Sequence, residues 1–184
     1  MIPEKEIVKI SKFLSLVLRH RPETIGIHLD ANGWTNVAVL LQQLELHGRP
    51  VTMKALEYVV ANNSKKRFAF SDDRSMIRAS QGHSVDVDLG YTEQTPPAVL
   101  YHGTAAACID SIFTSGLEKR NRHHVHLSAD TITAINVGGR HGKPVVLLVD
   151  SAQMAADGFS FFISENGVWL TDHVPVRYLK RIEP

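Results

Sequence analysis

Apolar residues in the first third of the chain recur every three or four positions. Ile7, Ile10, Leu14, Val17 and Leu18 fall on one helical face, and Pro22 stops the pattern. A second stripe carries Val37, Leu40, Leu41 and Leu44. Thr35 is expected to cap it, and Gly48 lies beyond its end. A third stripe, Met53, Leu56, Val59 and Val60, follows Thr52 as its expected cap. The period then changes. Arg67-Phe68-Ala69-Phe70, a turn-rich run at 71–75 and Met76-Ile77-Arg78 predict strand, turn and strand. Three helices followed by a two-stranded wing suggest a winged-helix lobe, an architecture common among nucleic-acid-binding proteins. Lys65, Lys66, Arg67, Arg74 and Arg78 concentrate positive charge on that wing and its approach.

Polar positions dominate from about Gln81, and Thr95-Pro96-Pro97 closes the stretch. Residues 86–97 are therefore assigned as a linker between a lobe of residues 1–85 and a second of residues 98–184. In the second lobe, short β-rich runs alternate with short helices. Val99-Leu100-Tyr101, Val125-His126-Leu127, Val145 to Val149, Phe161-Phe162-Ile163, Val168-Trp169-Leu170 and Tyr178-Leu179 are the expected strands. Helices are expected from Cys108 to Phe113, closed by Gly116, and around Thr131 to Val137. The fold class is α+β, with a mostly antiparallel, split sheet in this lobe.

Composition narrows the function. An apolar fraction of 43% and a charged fraction of 21% are those of an ordinary globular protein. The formal net charge is only +1, so any nucleic-acid contact must come from a local patch. Cys108 is the one cysteine, which excludes a disulfide framework and a thiolate metal site. No apolar signal core and no run of membrane-spanning length is visible, and a cytoplasmic protein without membrane contact is expected.

The ten histidines cluster near arginine and glycine. Leu18-Arg19-His20-Arg21-Pro22, Tyr101-His102-Gly103-Thr104, Val125-His126-Leu127-Ser128 and Gly138-Gly139-Arg140-His141-Gly142 each set cations beside glycine, a small hydroxyl or a chain turn. Guanidinium forks hold phosphate, and glycine lets backbone approach a ligand. Each string also has an ordinary explanation. Arg19 and His20 end a helix, where cations complement the dipole. His102, at the expected end of a strand, and His126, inside one, suit satisfied core histidines. The string from Gly138 misses phosphate-loop spacing, because Val137 stands where a glycine belongs and Pro144 replaces the hydroxyl. His123, His124 and His126 lack a fourth ligand, so no metal is expected. Ser164-Glu165-Asn166-Gly167 is a hairpin turn. Taken together, the strings ask for a polyanionic substrate.

These motifs, in this order, resemble the RNA 2′-phosphotransferase family (tRNA 2′-phosphotransferase, KptA/Tpt1 type). The shared wording is Ser-Lys-Phe-Leu-Ser-Leu-Val-Leu-Arg-His-Arg-Pro at 11–22, Lys-Lys-Arg-Phe at 65–68 and Gln-Gly-His-Ser at 81–84. It continues with Tyr-His-Gly-Thr at 101–104, His-Leu-Ser at 126–128, Gly-Arg-His-Gly at 139–142 and Asn-Gly-Val-Trp-Leu-Thr at 166–171. The resemblance implies an N-terminal winged-helix RNA-binding lobe and a C-terminal ADP-ribosyltransferase-like lobe that binds NAD⁺ and consumes it as co-substrate. It places the family's catalytic set on Arg19, His20, Arg67 and Arg140. It places cofactor contacts on His102, Gly103, Thr104, His126, Ser128 and Val168. RNA phosphate would be held by Arg19, His20 and Arg67, helped by Gln81, Gly82 and His83. Glu165 lies three residues too early for the glutamate that many ADP-ribosyltransferases carry, and receives no role.

The implied activity removes an internal 2′-phosphate from RNA in two steps, as in tRNA splicing and processing, by a monomer acting on tRNA-like RNA. Two rivals remain at this level. One is a non-enzymatic nucleic-acid-binding regulator. The other is an ADP-ribosyltransferase that modifies protein or nucleic-acid ends, and the basic cluster of the first lobe argues against it.

Overall fold

The structure, a computed structural model, describes residues 3–63, 65–140 and 142–182. His141, within the Gly-Arg-His-Gly string above, lies outside them. The chain divides into two compact units, Met1–Gly90 and Tyr91–Pro184.

In the first unit, helix α1 (Glu4–Arg19) buries Leu14, Val17 and Leu18 and stops before the Pro22–Ile25 3₁₀ turn. Strand β1 (Thr35–Asn36) leads directly into α2 (Val37–Leu46), and α3 (Met53–Ala61) follows. Thr52 caps α3 as expected, its hydroxyl accepting from the Ala55 N–H at 3.2 Å. Thr35 does not cap α2. It pairs with Ile77 in the sheet, and the cap is Asn36, whose Oδ1 accepts from the Ala38 and Val39 N–H groups. An asparagine side chain there satisfies two amides left open by the first turn. Asn36→Ala is expected to cost about 1 kcal/mol in urea unfolding.

Strands β2 (Phe68–Phe70) and β3 (Met76–Ala79) form the expected hairpin, and β1 adds to it, giving an antiparallel order β1-β3-β2. Leu40, Leu44, Leu56, Val59, Phe68 and Ile77 close one core with the α1 stripe.

In the second unit, β4 (Leu100–Ala105) is followed by α4 (Ile109–Ser115), β5 (Leu117–Glu118), β6 (Val125–Leu127) and α5 (Thr131–Gly138). Strand β7 (Pro144–Val149), α6 (Ser151–Ala156), β8 (Phe162–Ile163), β9 (Trp169–Thr171), β10 (His173–Val174) and β11 (Leu179–Ile182) complete it. All pairings are antiparallel, in sheets ordered β11-β7-β4, β6-β9-β8 and β10-β5. Leu100, Leu127, Leu147, Val149, Met154 and Phe161 fill the core between them.

The stretch expected as a linker is tied down at both ends. Val87 is buried and the Asp88 N–H bonds to the Ala31 carbonyl in the first unit. In the second, the Gln94 N–H bonds to the Phe161 carbonyl, and Pro97 accepts from the Ser151 hydroxyl. Its polar composition reads as loop, but it is anchored to both units by the bonds at Asp88, Gln94 and Pro97.

Candidate active site

Arg19 and His20, at the C-terminal end of α1, lie beside Arg67. The segment after β3 runs past that end, and the Ser84 and Val85 N–H groups both bond to the Arg19 carbonyl. His20 Nδ1 lies 2.9 Å from the Ser84 hydroxyl. The Arg19 guanidinium donates to the Arg67 carbonyl at 3.3 Å, and Arg67 reaches the Asn63 side chain. The Ser80 N–H closes the same corner on the Arg67 carbonyl. Arg19 and Arg67, 48 positions apart in sequence, are thus neighbours, with His20 beside Arg19. Lys66 beside them adopts a left-handed backbone (φ 39°), a conformation held at some cost in a residue with a β-carbon.

A helix C-terminus is the negative end of the dipole, so it offers an anion no backbone help. Any phosphate here must be held by the cations themselves. The Gln81-Gly82-His83 run belongs to the same segment. Gln81 Oε1 is buried without a hydrogen-bond partner, and His83 is 1% exposed, packed close to Gly33. His20, by contrast, is open to solvent.

In the second unit the Tyr-His-Gly-Thr string does not end a strand. It is the middle of β4, with Tyr101, His102, Gly103 and Thr104 opposite Leu148, Leu147, Val146 and Val145 of β7. Tyr101 and Ser128 exchange both backbone bonds, at 2.9 and 2.7 Å, which joins the edge of β4 to the end of β6. That seam brings the two histidines together. His102 Nδ1 is 3.0 Å from the His126 carbonyl oxygen. A carbonyl only accepts, so His102 Nδ1 carries the proton. Val168 leads into β9, which pairs with β6, and its N–H and carbonyl both bond to Ser164 at the ends of the Asn-Gly turn.

The glycines serve packing rather than an open cradle. A β-carbon on Gly103 would sit 1.7 Å from the Ala134 carbonyl oxygen, and one on Gly138 would sit 2.7 Å from that of Thr104. The side of Gly103 on which a side chain would stand is filled by α5. Gly138 belongs to the helix and not to a phosphate-like loop. Arg140 follows the end of α5, exposed, its N–H bonded to the Val137 carbonyl. Among the described residues no group of three or more His, Cys, Asp or Glu could hold a metal ion, and no helix is long and apolar enough to cross a membrane.

Burial pushes the His102 pKa down against the pull of its hydrogen bond to His126, and the charge of Arg122 lowers it further. Burial lowers His124 as well. A histidine depressed in the folded state takes up its proton more readily unfolded, where it titrates near 6.5. Stability is therefore intact above that value and falls as acid is added. The denaturation midpoint should drop between about pH 7.5 and pH 5, and His102→Gln should flatten the slope.

Arg122 escaped the sequence reading. Its guanidinium lies 3.1 Å from His126 Nδ1. The only signal was a basic run, Lys119-Arg120-Asn121-Arg122, which reads as a solvated turn.

The structure thus holds a basic corner in one unit and a histidine pair on a sheet seam in the other. The model of the RNA 2′-phosphotransferase, Tpt1 / KptA family matches residues 5–173, and the chain belongs to that family. It is 53% identical over 180 residues to a Rhodopirellula baltica protein named "Probable RNA 2′-phosphotransferase", covering 97% of this chain and 98% of that one. Proteins of the same name from Agrobacterium fabrum (55% identity; 92% of this chain, 91% of that one) and Flavobacterium johnsoniae (53%; 93% and 94%) are similar over nearly their whole length.

Proposed function

We propose that this chain is an NAD⁺-dependent RNA 2′-phosphotransferase, with a winged-helix RNA-binding unit followed by an ADP-ribosyltransferase-like unit. The observation that carries the reading is the convergence of Arg19, His20 and Arg67 on one helix end, in a chain matched almost throughout by the family. Two guanidinium groups and an imidazole on a surface that offers an anion no dipole of its own suit a phosphate dianion. A phosphate monoester is already mostly dianionic at neutral pH, so it needs positioning and no general base.

In the first step an oxygen of the RNA 2′-phosphate attacks C1″ of the NAD⁺ ribose, and the bond to nicotinamide breaks. In the second, the neighbouring 2″-hydroxyl oxygen bonds to phosphorus and the bond from phosphorus to the RNA 2′-oxygen breaks. The hydroxyl's proton is replaced on the departing RNA oxygen, with His20 placed to supply it. The products are RNA with a plain 2′-hydroxyl and ADP-ribose 1″,2″-cyclic phosphate. Arg19, His20 and Arg67 seat the phosphate. His102 and His126 orient NAD⁺, with Thr104, Ser128 and Val168 around them and Gly103 shaping the strand.

The test is incubation with NAD⁺ and an RNA carrying one internal 2′-phosphate. Nicotinamide and the cyclic phosphate should appear in equal amounts. Nicotinamide with a stable ADP-ribosylated RNA would mean a truncated transferase, and neither product would sink the reading.

A further inference from the structure

Arg122 and His126 contact one another in a way that fixes where a proton must sit. A guanidinium has donors only and stays charged at any pH the fold survives. Its approach to 3.1 Å from His126 Nδ1 therefore requires a lone pair on that nitrogen, which leaves the ring proton on Nε2. His102 is the reverse case, since its Nδ1 donates to the His126 carbonyl and its Nε2 is left as an acceptor.

We propose that Arg122 is a positioning residue that locks His126 in the Nε2–H tautomer, so that the two histidines at the seam carry their protons on opposite ring nitrogens. One residue mediates both assignments. The His126 carbonyl takes the proton of His102, and the His126 ring takes one from Arg122. Arg122 stands four residues before His126 across an exposed turn, held by its own N–H to the Lys119 carbonyl. A guanidinium in that place also disfavours an imidazolium at His102. The outcome is a matched pair, an acceptor at His102 Nε2 and a donor at His126 Nε2. A ribose diol, in which one hydroxyl donates while its neighbour accepts, is the chemistry that pair recognises. This last step rests on the reading of the histidine pair as the NAD⁺ site, whereas the tautomer assignment does not.

The test is long-range ¹H–¹⁵N correlation on the full chain labelled at histidine, without ligand. His126 should show an unprotonated Nδ1 and a protonated Nε2, and His102 the opposite. Arg122→Met, which keeps bulk but no donor, should turn His126 into an exchanging mixture, and Arg122→Lys should restore the single form. A proton on His126 Nδ1 in the native chain, or an Arg122→Met spectrum unchanged at both rings, overturns the proposal. The native spectrum decides without any variant, and Arg122 is exposed, so loss of fold is not the expected outcome. With NAD⁺, Arg122→Met should raise KM about tenfold with kcat less affected, the effect of one charged hydrogen bond. Collapse of the His126 pattern with KM unchanged would uphold the tautomer and remove NAD⁺ from this pair. A raised KM with the ring pattern intact would make Arg122 a direct ligand contact and end the proposal.

Discussion

Arg140→Ala is expected to release nicotinamide and then stall, leaving RNA that still carries ADP-ribose on its 2′-phosphate. The two proposed steps make different electrostatic demands. Attack on C1″ starts from a preformed dianion and spreads positive charge on the sugar, so it asks mainly for positioning. Transfer at phosphorus builds negative charge on the phosphoryl oxygens, where a guanidinium fork contributes most. Arg140 stands just beyond α5, whose register is set by Gly138 against Thr104, so the helix holds its backbone at a defined distance from β4. Removing one such donor costs about 10²- to 10³-fold in the step that uses it. Single-turnover reactions on labelled RNA, resolved into substrate, ADP-ribosylated RNA and product, read both steps at once. The first rate should change by no more than a few-fold. Arg19→Ala should instead stop the reaction before nicotinamide appears, because Arg19 belongs to the corner proposed to seat the phosphate. An Arg140→Ala enzyme that also fails to release nicotinamide would remove Arg140 from the second step.

The helices of the first unit were legible because their stripes are long and their stops are chemically marked, as Pro22 and Gly48 show. β1 was not legible, since two residues cannot display a period of two, and Thr35 serves the sheet while its neighbour Asn36 does the capping. In the second unit the Asn-Gly turn and the Val145–Val149 run stand as read. The end of β4 was misplaced, because His-Gly-Thr lacks the apolar alternation of a strand. Its pairing with β7 and the filling of the Gly103 gap by α5 hold it extended. α6 left no signal, being six residues of mostly small side chains, and β5 and β10 are two residues each. Among the site residues, cation-and-glycine strings pointed to Arg19, His20 and His102. Their placement within each unit depends on long-range contacts that local pattern does not carry, such as Ser84 on Arg19 in the first and Tyr101 on Ser128 in the second. Arg122 shows the limit most plainly. A charge run is ordinarily a solvated face, and only the position of His126 across the turn gives it a task.

Gly103→Ala should destabilise the second unit by at least about 3 kcal/mol, a large effect for one methyl group. The added carbon would lie 1.7 Å from the Ala134 carbonyl oxygen and 2.5 Å from its carbon. Both are backbone atoms of α5, so no rotamer change relieves the overlap, and the helix must move off the strand. The reciprocal contact at Gly138, with the Thr104 oxygen and nitrogen at 2.7 and 2.9 Å, makes the packing close on both sides. Gly138→Ala gains back roughly 1 kcal/mol of helix propensity, so its net cost should be the smaller of the two. Gly139→Ala is the control, since its added carbon meets nothing closer than the Ile135 oxygen at 3.3 Å. Urea unfolding followed at Trp169, which reports on the second unit, should separate the three, while the transition seen at Trp34 in the first unit stays where it was. The same displacement acts on function, because the strand that α5 presses against carries His102. The surviving folded fraction of Gly103→Ala should bind NAD⁺ more weakly. A Gly103→Ala chain with the native unfolding midpoint would mean that α5 does not rest on β4, and the positions given to His102 and Arg140 would fall with it.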